Sequence, residues 1–270
     1  MDLILVGPGR AGLALSLASL EAGHVVVGVL ARDPEAARAA GDRLGGPALS
    51  WDSALPRADL LVVAVRDDAI EEVAHLLAGH AANIDGAVHL SGLKPASALS
   101  GLDGPPVGSF HPLQTLPTPE AGAARLEGAW IGVTTDDDYL SDRLFAFAAS
   151  LGARPFELGD SAKPLYHAAA AAAANFTVTA LAMSRRLFEA AGVDPEVGHP
   201  LIRAVIDNAL EMGAEAALTG PAARGDIGTV RAQLAAVRAF DSGLGEDFAA
   251  MVRATARVAG TLDQIDEALQ

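Results

Sequence analysis

Three groups of polar residues in this sequence combine side chains that suit proton transfer and substrate binding. The first is the run 109–115, where a histidine, an amide and a hydroxyl follow an apolar stretch. His111 can exchange a proton near neutral pH, and Gln114 and Thr115 could hold a polar substrate. The alternative is that His111 and Pro112 only shape an irregular turn.

The second group opens a helical stretch at Lys163 and continues through His167 and a run of alanines to Asn175. At about 100° per residue, His167 and Asn175 lie two turns apart on nearly the same face of a helix, so both could line one cleft. The alternative is a tightly packed alanine-rich core helix, with His167 hydrogen-bonded at its end.

The third group lies in a polar, glycine-rich loop, residues 217–226, between long apolar helices. Arg224 could clamp a carboxylate, and Asp226 could orient it or bind a substrate amine or hydroxyl. Thr219 belongs to the same candidate substrate site. The alternative is a plain connection between helices with an internal pair of Arg224 and Asp226.

The first twelve residues carry the pattern of a dinucleotide-binding turn, in which an apolar run is followed by Gly7, Pro8, Gly9, Arg10, Ala11 and Gly12. The first glycine permits the tight turn, the second lets backbone approach a pyrophosphate, and the third lets helix pack on strand. A pyrophosphate would then bind the free N–H groups where the helix begins. The alternative is an ordinary glycine-rich turn.

The choice of dinucleotide depends on the residue that ends the second strand. Arg32 at that place suits a 2′-phosphate, because a guanidinium can pair with it bidentately. We therefore expect NADP, with NAD as the alternative. The competing interpretation is that Arg32 is a solvated side chain and that Asp33 caps a helix opening at Pro34. Val65, Arg66 and Ser91, which lie at or just after the ends of later strands, are also expected at the cofactor.

The elements that must position these residues are short apolar strands alternating with helical stretches, as in a doubly wound, mostly parallel sheet. The predicted strands are 3–6, 25–30, 59–65, 87–90, 107–110, 130–134 and 154–158. After Gly159, helical periodicity replaces the strand pattern. We therefore predict an α/β dinucleotide-binding domain over residues 1–159 and an all-helical domain over residues 160–270.

Composition narrows the class of function. The chain has 270 residues, a formal net charge of −15 and no cysteine. The negative charge argues against nucleic acid or an anionic membrane as partner, and the lack of cysteine excludes disulfides and thiolate metal sites. The histidines are scattered without metal-ligand spacing, so we expect no metal. Without an apolar run of membrane-spanning length, a soluble cytoplasmic protein is the expectation.

Several segments, taken in order, resemble a family of Rossmann-like oxidoreductases with a C-terminal domain of unknown function. The resemblance rests on residues 7–12, 89–92, 111–115, 166–175 and 218–226. It implies a Rossmann domain followed by a helical domain like those of 6-phosphogluconate dehydrogenase, pyrroline-5-carboxylate reductase and 2-dehydropantoate reductase. In these relatives the helical domain commonly forms a homodimer and the active site lies between domains.

One departure from the relatives concerns the proton donor. Hydroxyacid dehydrogenases and dehydropantoate reductases use a lysine one helical turn before an asparagine. Asn175 resembles that asparagine, but position 171 is alanine, and the chain has only two lysines, Lys94 and Lys163. We therefore expect His167 to donate the proton, with His111 as competitor unless Lys163 reaches the site.

In this interpretation Asn175 and Ser91 polarise the substrate, and Arg224 holds its carboxylate. The resemblance implies an NADP-dependent oxidoreductase acting on a small carbonyl or imino acid, such as a 2-dehydropantoate-type 2-oxo acid. Two alternatives stay open. One is a non-catalytic dinucleotide-binding sensor or scaffold, and the other is a deazaflavin-linked NADP oxidoreductase.

Overall fold

The computed structural model describes residues 1–269 and consists of two compact units, Met1–Ala174 and the chain from Asn175 onward. The first unit contains a seven-stranded sheet of order β2-β1-β3-β4-β5-β6-β7. All neighbouring strands are parallel except β5 and β6, which are antiparallel. The strands are β1 Asp2–Val6, β2 Val25–Leu30, β3 Leu60–Val63, β4 Ala87–His89, β5 Val107–Leu113, β6 Trp130–Thr135 and β7 Arg154–Glu157. The predicted mostly parallel α/β fold is confirmed.

The central strands read as continuous apolar runs because both faces of the sheet are covered. In β3 every residue is buried. Leu5 and Val62 belong to the hydrophobic core on one face, which includes Phe110, whereas Ile4 and Leu61 belong to the core on the other face. Because β1 to β4 are parallel, their carboxyl ends lie at one edge of the sheet, where open α/β sheets bind ligands.

Six helices belong to the first unit: α1 Arg10–Glu21, α2 Pro34–Leu44, α3 Ile70–Leu76, α4 Pro119–Ala124, α5 Asp138–Ser150 and α6 Lys163–Ala171. Asp33 caps α2, because its carboxylate accepts a hydrogen bond from the backbone N–H of Glu35. This capping role was one of the two interpretations of the Arg32–Asp33 pair.

The second unit is helical, as predicted, with α7 Thr177–Ala190, α8 His199–Met212, α9 Ala214–Ala217, α10 Ile227–Phe240, α11 Ser242–Ala259 and α12 Leu262–Ile265. Its core is built mainly by α10 and α11, with Val230, Leu234, Val252 and Ala256 at the centre. Every residue of α7 and α8 is at least partly exposed. Over residues 1–269 no helix combines the length and the apolar character needed to cross a bilayer.

Two local predictions were wrong. The strand predicted to end at Phe110 continues to Leu113, so His111 and Pro112 lie within β5 rather than in a turn. Pro112 is tolerated there because β4 pairs with β5 only as far as Ser109, and a missing N–H on the free side breaks no ladder. The regular helix expected from His167 to Asn175 is also interrupted, because residues 172–176 form a π-helical turn.

The compact units divide after α6, whereas the sequence prediction divides the chain after residue 159. Residues 160–174 belong to the first unit. The side chains of Lys163 and Tyr166 explain this placement, because both bond to residues of β5.

Candidate functional site

The three glycines of the first turn meet three different surroundings. Gly7 has φ +91°, and a Cβ added there would lie 2.7 Å from the carbonyl oxygen of Ala64. A Cβ on Gly12 would lie 2.6 Å from the carbonyl oxygen of Gly7. On Gly9 it would meet no atom within 4 Å. Packing therefore requires the first and third glycines, whereas the second leaves open space in front of the backbone.

The first turn of α1 suits an anion. Gly9 is the N-cap residue and brings no side chain to cap the helix, and the first turn contains no acidic residue. The first N–H groups of a helix have no partner within the helix, and the helix dipole favours negative charge at this end. A phosphate at Gly9 would meet both conditions.

Two cavities share this turn. The larger, of about 640 Å³, is lined by 6–9, 31–33, Ala36, Trp51, 64–66, Ala69, Glu72, Val73 and Leu76. The second, of about 520 Å³, is lined by 9–11, 64–66 and 115–117. Both lie at the carboxyl edge of the sheet, and volumes of this size suit small-molecule ligands. Gly9, Ala64, Val65 and Arg66 border both of them.

The predicted cofactor residues of the first unit lie at these cavities, apart from Ser91 and Gly12. Arg32 lines the larger cavity and forms no ion pair within residues 1–269. Arg66 lies between the two cavities and pairs with Asp68 at 3.3 Å. Arg32 is therefore free to bind an anionic ligand, whereas Arg66 would exchange an existing partner on the surface.

Thr115 lines the second cavity, but Gln114 makes a local contact. The side-chain oxygen of Gln114 accepts a hydrogen bond from the backbone N–H of Thr115 at 2.8 Å. The hydroxyl of Thr115 accepts a hydrogen bond from Arg125 at 2.9 Å. The same hydroxyl donates a long hydrogen bond to the side-chain oxygen of Gln114 at 3.4 Å, so a ligand in this cavity would have to replace this weak contact to bind the Thr115 proton.

Ser91 organises the loop that follows β4. Its hydroxyl donates to Oδ2 of Asp67 at 2.8 Å and accepts from the backbone N–H groups of Leu93 and Lys94. Because the hydroxyl proton is directed to Asp67, Ser91 is placed to hold this loop rather than to polarise a substrate. Asp67 directly follows Arg66, so this bond ties the loop to the cavity wall.

Lys163 is fully buried, with 0% of its surface exposed. Its ammonium donates to the hydroxyl of Ser109 and to the carbonyl of Lys94, both at 2.6 Å, and lies 3.4 Å from Asp160. Burial lowers the pKa of Lys163. With its three donors directed to these partners, the ammonium fastens α6 to β5 and to the loop after β4.

Tyr166 makes the second contact between α6 and β5. Lys163 and Tyr166 are one turn apart on the helix, and Ser109 and His111 share one face of the strand. The hydroxyl of Tyr166 lies 2.8 Å from Nδ1 of His111. Each helix residue therefore bonds to one strand residue.

His111 and His167 meet beside Gly92. The ring centres of the two histidines are 6.1 Å apart. A Cβ on Gly92 would lie 2.8 Å from Nε2 of His111 and 2.9 Å from Nδ1 of His167. Within residues 1–269, Nδ1 of His167 is buried without a hydrogen-bond partner, which is unusual for a buried polar atom. The structure therefore brings together two of the predicted catalytic residues and leaves one nitrogen available.

Burial sets the protonation of the Tyr166–His111 pair. It lowers the pKa of His111 to about 4, helped by the nearby His167 and Lys163. It raises the pKa of Tyr166 to about 12. Both groups are therefore neutral at pH 7.

The burial of a third histidine, His89, indicates how the free energy of unfolding depends on pH. His89 is fully buried, its Nε2 donates to the carbonyl of Pro95, and burial lowers its pKa to about 4. Because the unfolded chain keeps a histidine pKa near 6.5, it binds more protons than the native chain between pH 4 and 6.5. His89 and His111 should each remove up to about 3 kcal/mol of unfolding free energy as pH falls through this window.

Urea unfolding measured from pH 7.5 to 4.5 checks this prediction. The unfolding free energy should fall with decreasing pH, and a His89→Asn variant should show a shallower slope. A native protein equally stable at pH 7 and pH 4.5 would contradict it.

The remaining predicted residues lie in the second unit. Asp226 caps α10 by accepting hydrogen bonds from the backbone N–H and hydroxyl of Thr229. Arg224 and Thr219 lie exposed on the preceding loop, and Asn175 is exposed in the π-helical turn. Their roles in substrate binding stay predictions. Across residues 1–269 no three histidine or carboxylate side chains cluster closely enough to hold a metal ion.

Two residues at these sites, Trp51 and Tyr166, were not predicted from the sequence. Trp51 lines the larger cavity, and Tyr166 bonds to His111. The spacing of Lys163 and Tyr166 could have indicated a shared helix face, but their strand partners could not be derived locally. Trp51 follows a loop without a periodic pattern, so the sequence carried no signal for it.

Comparisons with known proteins agree with this architecture. Residues 1–104 match the Rossmann-like domain family, and residues 129–256 match a domain of unknown function, DUF2520. No curated protein matches the sequence.

Three solved structures share the fold. BF3122, a candidate NADP oxidoreductase from Bacteroides fragilis, is 23% identical with TM-score 0.82, and the match covers 95% of this chain and 98% of BF3122. TM1727 from Thermotoga maritima is 26% identical with TM-score 0.71, over 96% and 98% of the two chains. The imine reductase from Myxococcus stipitatus in complex with NADP+ is 19% identical with TM-score 0.58, over 100% and 94%. The chain therefore joins a Rossmann-like domain to a C-terminal domain of the DUF2520 family, as the resemblance predicted.

Proposed function

We propose that the protein is an NADP-dependent oxidoreductase that reduces a small carbonyl or imine compound. The observation that carries this proposal is the pair of cavities meeting at Gly9, at the same sheet edge as the half-buried His111, Tyr166 and His167. A nucleotide site beside a group of proton-exchanging side chains is the arrangement that hydride transfer to a carbonyl or imine needs.

The residues present fit a dinucleotide. Gly9 leaves room for a pyrophosphate, the first turn of α1 offers N–H groups, and Arg32 offers a guanidinium without an ion pair in the described part of the chain, residues 1–269. Pro8, Ala11 and Val65 complete the walls around this turn. When bound, the nicotinamide ring would supply or accept the hydride.

His167 is our proposed proton donor. Its Nδ1 lacks a partner within residues 1–269, whereas both ring nitrogens of His89 are engaged with backbone groups. His111 is less suited as an acid because burial holds its pKa near 4. Its bond to Tyr166 fits the task of orienting a neutral imidazole beside Gly92. We assign Lys163 and Ser91 to positioning this group.

The substrate class is proposed from the relatives. Two of the similar folds are an imine reductase from Streptomyces aurantiacus and a 1-pyrroline-5-carboxylate reductase from Streptococcus pyogenes. The activities of these two proteins favour a cyclic imine as the substrate. A 2-dehydropantoate-type 2-oxo acid stays in the proposal as the second substrate class. Asn175, Thr219, Arg224 and Asp226 remain our candidates for substrate binding.

Oxidation of NADPH by the purified protein tests the proposal. A panel of cyclic imines, imino acids and 2-oxo acids should contain at least one substrate that is turned over. Tight NADPH binding without turnover of any panel member, or of an oxidised deazaflavin, would contradict the proposed enzymatic activity and indicate a sensor or scaffold.

Arg32 should set the preference for NADP. An Arg32→Ala variant should bind NADPH about 10- to 100-fold more weakly while binding NADH as the wild type does, because a charged hydrogen-bonded pair contributes about 1.5–3 kcal/mol. Titration of both coenzymes into the variant and into an Arg38→Ala control measures this. An equal loss of affinity for NADPH and NADH would show that Arg32 does not bind the 2′-phosphate.

We also propose a homodimer formed through the second unit. In α8 the apolar side chains of Leu201, Val205 and Met212 lie on one face of the helix and are 64%, 55% and 57% exposed. Apolar faces of this kind commonly mark protein interfaces. Sedimentation equilibrium should give twice the chain mass, and a Leu201→Glu/Val205→Glu variant should give the monomer mass. A wild-type monomer at micromolar concentration would contradict the dimer.

A further inference from the structure

Trp51 is held firmly at the larger cavity. Its indole N–H donates to the carbonyl of Ala31 at 2.9 Å, and the ring packs against the hydrophobic core beneath the sheet edge. The chain just before it runs beside β2, because Val29 exchanges backbone hydrogen bonds with Pro47 and Leu49. The indole is therefore fixed next to Arg32 before any ligand binds.

The other walls of this cavity suit a flat apolar group. Ala36, Ala69, Val73 and Leu76, which have apolar side chains, are among the lining residues. Glu72 lines the same cavity and carries an exposed carboxylate, which would repel a phosphate but accept a hydrogen bond from an amino group. An aromatic ring with an exocyclic amine matches these walls better than a phosphate does.

The position along the sheet decides which half of a dinucleotide belongs here. Trp51 and Arg32 lie at the end of β2, on one side of the Gly9 turn, and the cavity with Thr115 lies on the side of β5. In Rossmann folds the end of the second strand contacts the ribose that carries the base. The cavity with Trp51 is therefore the place for the purine.

We propose that Trp51 is the aromatic wall of an adenine subsite, on which the purine ring of the coenzyme stacks. This inference rests on the proposed function, since it specifies how the dinucleotide is held. Stacking of a base on an aromatic side chain contributes about 5- to 100-fold in affinity.

Fluorescence tests the subsite without changing Trp51. The chain has two tryptophans, so a Trp130→Phe variant leaves Trp51 as the only indole. Trp130 lies on β6, stacked edge-on against Phe156, and is absent from the cavity lining. In this variant adenosine 2′,5′-bisphosphate and AMP should quench the emission of Trp51, and nicotinamide mononucleotide should leave it unchanged.

Affinity gives a second arm. A Trp51→Leu variant should bind adenosine 2′,5′-bisphosphate about 5- to 100-fold more weakly by calorimetry, with nicotinamide mononucleotide unaffected. Trp130→Phe should bind both ligands as the wild type does.

Each outcome separates this inference from the proposed function. NADPH binding without a change in Trp51 emission would overturn the subsite and leave the oxidoreductase proposal standing. Quenching by nicotinamide mononucleotide alone would place Trp51 at the other half of the coenzyme and also overturn it. Failure of the wild type to bind any dinucleotide would overturn both.

Discussion

Replacing His167 with alanine should lower kcat by about 10²–10⁴-fold and leave the affinity for NADPH unchanged. This is the usual contribution of a positioned general acid. The expectation follows from the place of the imidazole beside Gly92 and His111, with a buried Nδ1 that has no partner across residues 1–269. Because that nitrogen bonds to nothing there, its removal leaves no polar group newly unpaired, and the variant should fold.

Steady-state kinetics and NADPH titration of the same preparations measure this effect. His199→Ala is the matched control, since His199 lies exposed at the start of α8 and should be replaceable without loss of turnover. Wild-type kcat in the His167→Ala variant would refute the assignment. A large loss in His111→Ala with little in His167→Ala would move the acid to His111.

Replacing Gly9 with valine should abolish dinucleotide binding without unfolding the protein. Gly9 has φ −76° and ψ −177°, an extended conformation that a β-branched residue adopts readily, and a Cβ there would meet no atom within 4 Å. The new side chain would instead occupy the space in front of the α1 amides, where the pyrophosphate must approach. We expect affinity for NADPH to fall more than about 100-fold, which corresponds to about 2.7 kcal/mol.

Thermal unfolding separates this effect from misfolding. The melting temperature of Gly9→Val should stay close to that of the wild type. By contrast, Gly12→Val should lower it strongly, because a Cβ at Gly12 would collide with the carbonyl of Gly7. Retention of NADPH binding by Gly9→Val would place the nucleotide elsewhere.

The sequence predicted those parts of the fold that depend on local pattern. The apolar run of β3 and the glycine turn before α1 are both short-range features, and the structure has them where the pattern indicated. The extension of β5 through Pro112 depends on pairing with β6, which is distant in sequence. The π-helical turn within the alanine run also escaped prediction, because a run of small residues does not specify where a helix deviates.

The candidate site was predictable to a similar degree. Residue types and their spacing in the sequence indicated His111, His167 and Lys163 as candidate catalytic residues, but the direction of each side chain depends on tertiary contacts. The Lys163 ammonium is buried and donates to Ser109, so Lys163 holds α6 against β5. The sequence alone could not distinguish this structural role from that of a proton donor. Tyr166 gains its partner only when α6 packs on β5.

Calorimetric titration of the wild-type protein with NADPH and NADP+ tests whether the Gly9 turn binds a dinucleotide. We expect one dinucleotide to bind per chain, with an affinity that Gly9→Val abolishes and with competition from adenosine 2′,5′-bisphosphate. Absence of binding heat with either coenzyme at millimolar concentration, in a folded protein, would contradict it.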